Sequence, residues 1–187
     1  MEAPALETPR LVMRPHVVSD YHDSFALWSD PRTVRQIGGV PSTADRAWQR
    51  LLTFGGLWPL LGFGYWAVRE RGTGAFVGEV GFADFHRGTD PGFDGEPEMG
   101  WVLSPAMHGR GYATEAVGAA LDWADRALPH PRVVCMIAPD NAASIAVVVM
   151  TACQRWTTRT MTTIAATALA RVVSRTQPRP GLVSAAF

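Results

Sequence analysis

Apolar and polar positions change period several times along this chain, and each change marks an element. Leu11-Val12-Met13-Arg14 alternates and then meets Pro15, which predicts a first strand. Ser19 or Asp20 can cap a helix running to about Trp28, with Phe25 and Trp28 spaced to share an apolar face. Asp30-Pro31 punctuates, and 34–37 reads as a short helical turn closed by Gly38-Gly39. Ser42-Thr43-Ala44-Asp45 opens a second helix, whose inner face is expected to hold Trp48, Leu51, Leu52 and Leu57. Strands over 65–68 and 76–85 flank a hairpin turn, Arg71-Gly72-Thr73-Gly74, and Gly78 with Gly81 suggests a bulge. A loop rich in Gly, Asp and Pro fills 90–95. A strand over 98–103, a helix over 113–126, a strand over 132–137 and a helix over 142–152 follow. The order βααβββαβα predicts an α/β (α+β) fold, a mixed and mostly antiparallel sheet flanked by helices.

Composition narrows the class. At 187 residues and 47% hydrophobic, the chain suits one domain with a sizeable core. A formal net charge of zero implies no general affinity for nucleic acid or an anionic membrane. Two cysteines, Cys135 and Cys153, are too few for a disulfide framework and fit a reducing compartment. The start, Met-Glu-Ala-Pro, lacks a signal-peptide pattern, and the greasy stretch 55–68 is interrupted by Pro59, Gly62 and Gly64. A cytoplasmic protein, monomeric or homodimeric, is expected.

The chemistry concentrates in His108-Gly109-Arg110-Gly111-Tyr112-Ala113-Thr114-Glu115-Ala116, between a predicted strand and a predicted helix. A glycine-rich turn entering a helix leaves backbone N–H groups unpaired where the helix dipole is positive, a setting that holds phosphate. Cys135 lies in an apolar run, Val133-Val134-Cys135-Met136-Ile137, and reads as a small core residue rather than a nucleophile. No His/Cys/Asp cluster has metal-ligand spacing, so no metal is expected. Tryptophans 28, 48, 58, 66, 101 and 123 fall mostly at core-facing positions.

The ordered set Thr8-Pro9-Arg10-Leu11 with Arg14-Pro15, Gly38-Gly39, Gly64-Tyr65-Trp66-Ala67-Val68, Gly78-Glu79-Val80-Gly81, Glu98-Met99-Gly100-Trp101, the 108–116 loop, and Asn141 with Ser144 resembles GNAT-superfamily acetyltransferases. Its nearest branch looks like the ribosomal-protein alanine N-acetyltransferases (RimJ/RimL-like). The resemblance implies acetyl-CoA as cosubstrate and an amine acceptor, a peptide N-terminus or a small molecule. It implies N–H contacts to pyrophosphate from Gly109, Arg110, Gly111, Tyr112 and Ala113, with a hydroxyl from Thr114. His108 stands where the family usually has Gln or Arg. The strand bearing Trp101, Val102 and Leu103 should splay from its neighbour and pair with the pantetheine, with a strand N–H near Val102 stabilising the oxyanion. Asn141 and Ser144 match a second cofactor contact. Glu98 is the candidate general base, direct attack in a ternary complex the implied mechanism. Asp84 and His86 end the preceding strand, as loop residues or substrate contacts. The family's general-acid tyrosine is replaced by Val148. A non-catalytic acyl-CoA-binding module is the alternative.

Beyond Ser144 the resemblance fades. All 17 acidic residues lie at or before Asp140, so the first 140 residues carry a balance of −5 and the last 47 a balance of +5. The expectation is an acetyltransferase domain over 1–153 and an atypical tail over 154–187. A shifted reading frame and a divergent segment both account for it. The frameshift reading predicts that the edge of the 132–137 strand is left uncovered.

Overall fold

The computed structural model describes residues 3–88, 92–154 and 160–165. Among these residues seven strands form one sheet in chain order: β1 (Leu6–Glu7), β2 (Leu11–Pro15), β3 (Tyr65–Glu70), β4 (Phe76–Ala83), β5 (Glu98–Leu103), β6 (Arg132–Ile137) and β7 (Thr160–Ala165). Pairing is antiparallel through β5 and parallel for β5–β6 and β6–β7. The helices are α1 (Tyr21–Ser29), α2 (Pro31–Val34), α3 (Ala44–Leu61), α4 (Tyr112–Ala127) and α5 (Ala142–Gln154). No helix among the described residues is long and apolar enough to cross a membrane.

The expected mixed sheet is present. One face carries the main core: Met13, Trp66, Val80 and Phe82 meet Tyr112, Ala116, Val117 and Trp123 of α4, with Val147 and Val148 of α5 packed against them. Trp58, Trp66 and Trp123 form a T-shaped cluster with centroids 4.8–5.3 Å apart. Cys135 lies in this core, fully buried. The opposite face is covered by α1 and α3, with Phe54 stacked on Tyr65 at 4.3 Å. The bulge falls where glycine requires it: register shifts between Val68 and Arg69, opposite Gly78. A Cβ on Gly78 would meet the Val102 carbonyl oxygen at 2.2 Å, so only glycine lets β5 approach.

Several expectations are corrected. The short helix is Pro31–Val34, not 34–37, because Asp30 caps it through the Arg32 N–H and Pro31 occupies its first turn. Gly38 and Gly39, at φ +81° and +73°, close the turn after it. In α3 the inward stripe is Ala47, Leu51, Phe54, Leu57 and Trp58; Trp48 and Leu52 face outward at 38% and 55% exposure. Trp48 instead packs edge-on against Tyr21. Asp20 does not cap α1 with its side chain. Its buried carboxylate accepts from Arg14 (2.7 Å twice), from Arg69 (2.8 Å) and from the Val17 N–H (2.9 Å). Burial raises the Asp20 carboxyl, but the Arg14 and Arg69 hydrogen bonds outweigh it and hold it well below the usual range.

The edge of β6 is covered, contrary to what the frameshift reading predicts. β7 pairs with all six of its residues, from Arg132 opposite Thr160 to Ile137 opposite Ala165. Thr and Ile suit a pleated strand, and the backbone ladder supplies the pairing that the lost acidic pattern seemed to forbid. Cys153 ends within α5, and the rest of the tail, Trp156 included, lies outside the described residues.

Candidate functional site

Strands β5 and β6 diverge almost as soon as they meet. They share one register pair, Glu98 opposite Val134, with the Val134 N–H donating to the Pro97 carbonyl at 3.0 Å. On its other side β5 is paired along its whole length with β4. A cavity of about 660 Å³ fills the divergence. Gly100, Trp101 and Val102 line it from β5, Met136 and Ile137 from β6, and Asn141 and Ser144 from the start of α5. Trp28, Val34 and Arg50 line it from the helical side.

Strand alternation decides which β5 groups face this opening. The Ser104 N–H donates to the Val77 carbonyl of β4, so the N–H groups of Gly100 and Val102, at the same phase, also turn toward β4. The amides of Trp101 and Leu103 point to the open edge. The oxyanion donor expected near Val102 therefore cannot be the Val102 N–H itself; the neighbouring Trp101 N–H has the right direction. Leu103 contributes less free edge than expected. Its carbonyl already accepts from His108 Nε2 at 3.0 Å, so this imidazole carries its proton on Nε2. His108 braces the strand end against the loop.

The loop after β5 has the conformation that its glycines foreshadow. Gly109 and Gly111 both adopt φ +74°, a region in which L side chains are strained. Gly111 is the N-cap of α4. The backbone N–H groups of residues 109–114 donate to no partner among the described residues, whereas the next, from Glu115, is bonded to the Gly111 carbonyl at 3.1 Å. Six consecutive unpaired N–H groups at a helix start are a donor set that could hold an anion, a candidate cradle. Thr114 is half-buried in the first turn.

Side chains around the cradle fix it to the rest of the fold. Glu115 accepts from the Thr8 hydroxyl (2.6 Å), the Arg10 N–H (3.0 Å) and Arg10 Nε (2.6 Å). Burial raises the Glu115 carboxyl, and the bonds from Thr8 and Arg10 more than offset that and lower it. Arg10 Nη1 also donates to the Arg110 carbonyl at 2.8 Å, with the guanidinium 4.7 Å from the Tyr112 ring. The Tyr112 hydroxyl donates to Glu70, which raises its pKa and leaves only its backbone N–H for a ligand. This Glu115 staple was not visible in the sequence, because its partners lie 105 residues or more away.

Glu98 reaches the cavity from the first residue of β5, buried at 5% exposure. Arg87 clasps its carboxylate, Nε to Oε2 at 2.7 Å and Nη2 to Oε1 at 2.9 Å. Beneath lies Tyr65, whose phenol is pushed up by burial and then by the charge of Glu98. At α5, Asn141 Oδ1 accepts from the Ser144 N–H at 3.1 Å, an N-cap that presents both residues to the cavity. Val148, where the tyrosine would stand, packs half-buried against the main core.

Asp84 and His86 stand apart from this constellation. Asp84 accepts from the His86 and Gly95 N–H groups, and His86 is 75% exposed. With Asp94 they form a compact group of possible ligand atoms, which sequence spacing did not anticipate. Its hydrogen bonds brace the β4–β5 loop.

Residues 10–150 match the model of the acetyltransferase (GNAT) domain. The uncharacterised N-acetyltransferase YoaA of Bacillus subtilis (strain 168) is 27% identical over 145 residues, 75% of this chain and 77% of that protein. A chain from Bordetella pertussis, assigned to the same acetyltransferase family, superposes with a TM-score of 0.70 at 34% identity, covering 79% of this chain and 87% of that one. The spermidine N-acetyltransferase of Vibrio cholerae, solved with CoA and spermine, superposes with a TM-score of 0.60 at 15% identity over 76% and 79% of the two chains, a likeness of fold.

Proposed function

Because the chain belongs to the GNAT acetyltransferase family, we propose that it transfers an acetyl group from acetyl-CoA to a primary amine, by direct attack with both substrates bound. Acetyl transfer is the activity of the family. The amine acceptor, the site residues and the direct mechanism are our reading. The motif order favours the branch that resembles the RimJ/RimL-like enzymes.

One observation carries the reading: the open edge of β5 lines one cavity together with Asn141 and Ser144, and the unpaired N–H groups of residues 109–114 begin six residues after that strand ends. That set fits a pyrophosphate joined to an extended amide-bearing arm. Gly109, Arg110, Gly111, Tyr112 and Ala113 would hold phosphate through backbone N–H groups, and Thr114 through its hydroxyl. Trp101 and Leu103 would pair with the arm while Val102 supports the strand from the β4 side. His108 keeps the strand end and the loop in register. Asn141 and Ser144 close the far wall.

Bound acetyl-CoA supplies an acyl carbon already activated as a thioester. The amine nitrogen bonds to that carbon as the carbon–sulfur bond breaks. Glu98, acting directly or through water, receives the amine proton. The Trp101 N–H, which points to the open edge of β5, would donate to the developing oxyanion. With Val148 in place of a tyrosine, the thiolate takes its proton from solvent.

Thiol release from acetyl-CoA with a panel of amines tests the proposal, beside calorimetric titration with acetyl-CoA alone. Amine-dependent release supports it. Binding without release from any amine points to the non-catalytic acyl-CoA module, and no binding overturns both.

A further inference from the structure

We infer that Arg50 selects acceptors that carry a carboxylate, so that this enzyme acetylates acidic amines in preference to polyamines. The inference rests on the reading of the cleft as an acetyltransferase site and names its substrate class.

Arg50 occupies an unusual place. The inward stripe of α3 runs through Ala47, Leu51, Phe54 and Leu57, and Arg50 lies on it, three residues after Ala47 and four before Phe54. The side chain is half-buried and lines the cavity. Its guanidinium lies 3.8 Å from the Trp28 ring centroid, and Nη1 donates to the Ser42 hydroxyl at 3.0 Å. Those two contacts hold the fork rigidly. Neither neutralises it, and Arg50 makes no ion pair among the described residues. The desolvation that lowers its pKa is a cost no neighbouring carboxylate offsets through a hydrogen bond.

The other charges explain why the occupant is an anion. Besides Arg50, the charged residues lining the cavity are Arg87 and Glu98, and these two satisfy each other. Glu79, which is near enough to act on Arg50 through its charge, is fully buried and engaged by Trp28 and His16. Among the described residues, a ligand entering the cavity therefore meets one cation to which no carboxylate is hydrogen-bonded, and no carboxylate without a cation. A planar, oriented guanidinium matches a carboxylate in two parallel hydrogen bonds. A polyamine would bring further positive charge to a site with nothing to receive it. A cavity of about 660 Å³ has room for an amino acid or a peptide end.

The test compares matched acceptors in thiol-release kinetics on the full chain: methionine against methioninamide, the amidated tripeptide Ser-Glu-Ala against Ser-Gln-Ala, and spermidine. Wild type should favour at least one acid over its neutral partner by tenfold or more in kcat/KM, chiefly through KM, with spermidine slowest. Arg50→Gln should abolish that preference and Arg50→Lys restore part of it, in variants whose melting temperatures show them folded. Arg46→Gln, which removes an exposed arginine one turn earlier, should keep it. Equal rates for both members of each pair overturn the inference, as do a spermidine preference or a preference that survives Arg50→Gln. If acetyl-CoA binds and no amine is turned over, the transferase reading fails instead. Ligand-observed NMR with the same acids then decides on Arg50: binding lost in Arg50→Gln supports carboxylate recognition, and binding unchanged rejects it.

Discussion

His16 Nε2 lies 3.4 Å from Glu79 Oε1, and both side chains are sealed from solvent. Nδ1 of the same imidazole faces the Tyr65 carbonyl at 3.3 Å, which can only accept, so Nδ1 carries a proton. The other Glu79 oxygen accepts from Trp28 Nε1 at 2.7 Å. Glu79→Leu strands two buried polar groups and should cost about 2–4 kcal/mol. Glu79→Gln, which can donate to Nε2 and accept from Trp28, should cost less than about 1.5 kcal/mol. Chemical denaturation of both variants checks the pairing; equal losses would refute it.

The anion cradle is tested at Gly111. Asn and Asp both tolerate a positive φ better than other side chains, and only Asp adds charge. Gly111→Asp should weaken CoA binding at least tenfold relative to Gly111→Asn, about 1.4 kcal/mol or more. Equal affinities by calorimetry would remove phosphate from this loop.

Glu98 separates chemistry from binding. Glu98→Gln keeps an oxygen for Arg87 but cannot accept a proton. Turnover should fall about 10²-fold while CoA affinity stays near wild type. Near-normal turnover across pH would make Glu98 a structural residue and leave amine deprotonation to solvent.

Asp20 gives a pH signature. Its carboxyl is lowered in the folded state, so it binds protons more weakly there than in the unfolded chain. The stability it contributes is complete above its unfolded value of about 3.9 and is lost as pH falls through its lower folded value. Asp20→Asn should be destabilised by about 2–3 kcal/mol at neutral pH, and the gap to wild type should narrow only below about pH 4. A gap that is already closing at pH 6 would contradict the Arg14–Asp20–Arg69 arrangement.

The tail calls for reading its DNA. The pairing of β7 with β6 favours a divergent tail over a one- or two-base shift near the Cys153 codon. A shift would leave an acidic, Tyr-containing continuation in another frame of the coding sequence. Absence of one establishes a divergent tail, for which limited proteolysis should spare the segment through Ala165 that is bonded to β6.

What could be read in advance was local. The strand over 98–103, the glycine loop and α4 follow one another within 30 residues, and each announces itself by alternation, by Gly109 and Gly111, or by helical spacing. The face of α3 was misjudged because Trp48 and Leu52 are large and apolar, whereas burial follows the stripe from Ala47 to Leu57 through Arg50. The Arg87 clasp and the Glu115 staple join residues 11 and 105 apart, and no periodicity encodes such pairs. β7 escaped notice because a Thr-rich run with no acidic partner hairpin carries little pattern, and parallel pairing needs none from its neighbour in sequence.

The Glu115 staple also sets an order in time. Arg10 and Thr8 leave the ribosome roughly 5–20 s before the carboxylate that fastens them, at synthesis rates of about 5–20 residues per second. Through that interval β2 can pair with β3 but has nothing to tie it to the cradle. The cradle thus acquires its anchor only when α4 emerges, and a nascent chain should gain affinity for CoA only after α4 has closed these contacts.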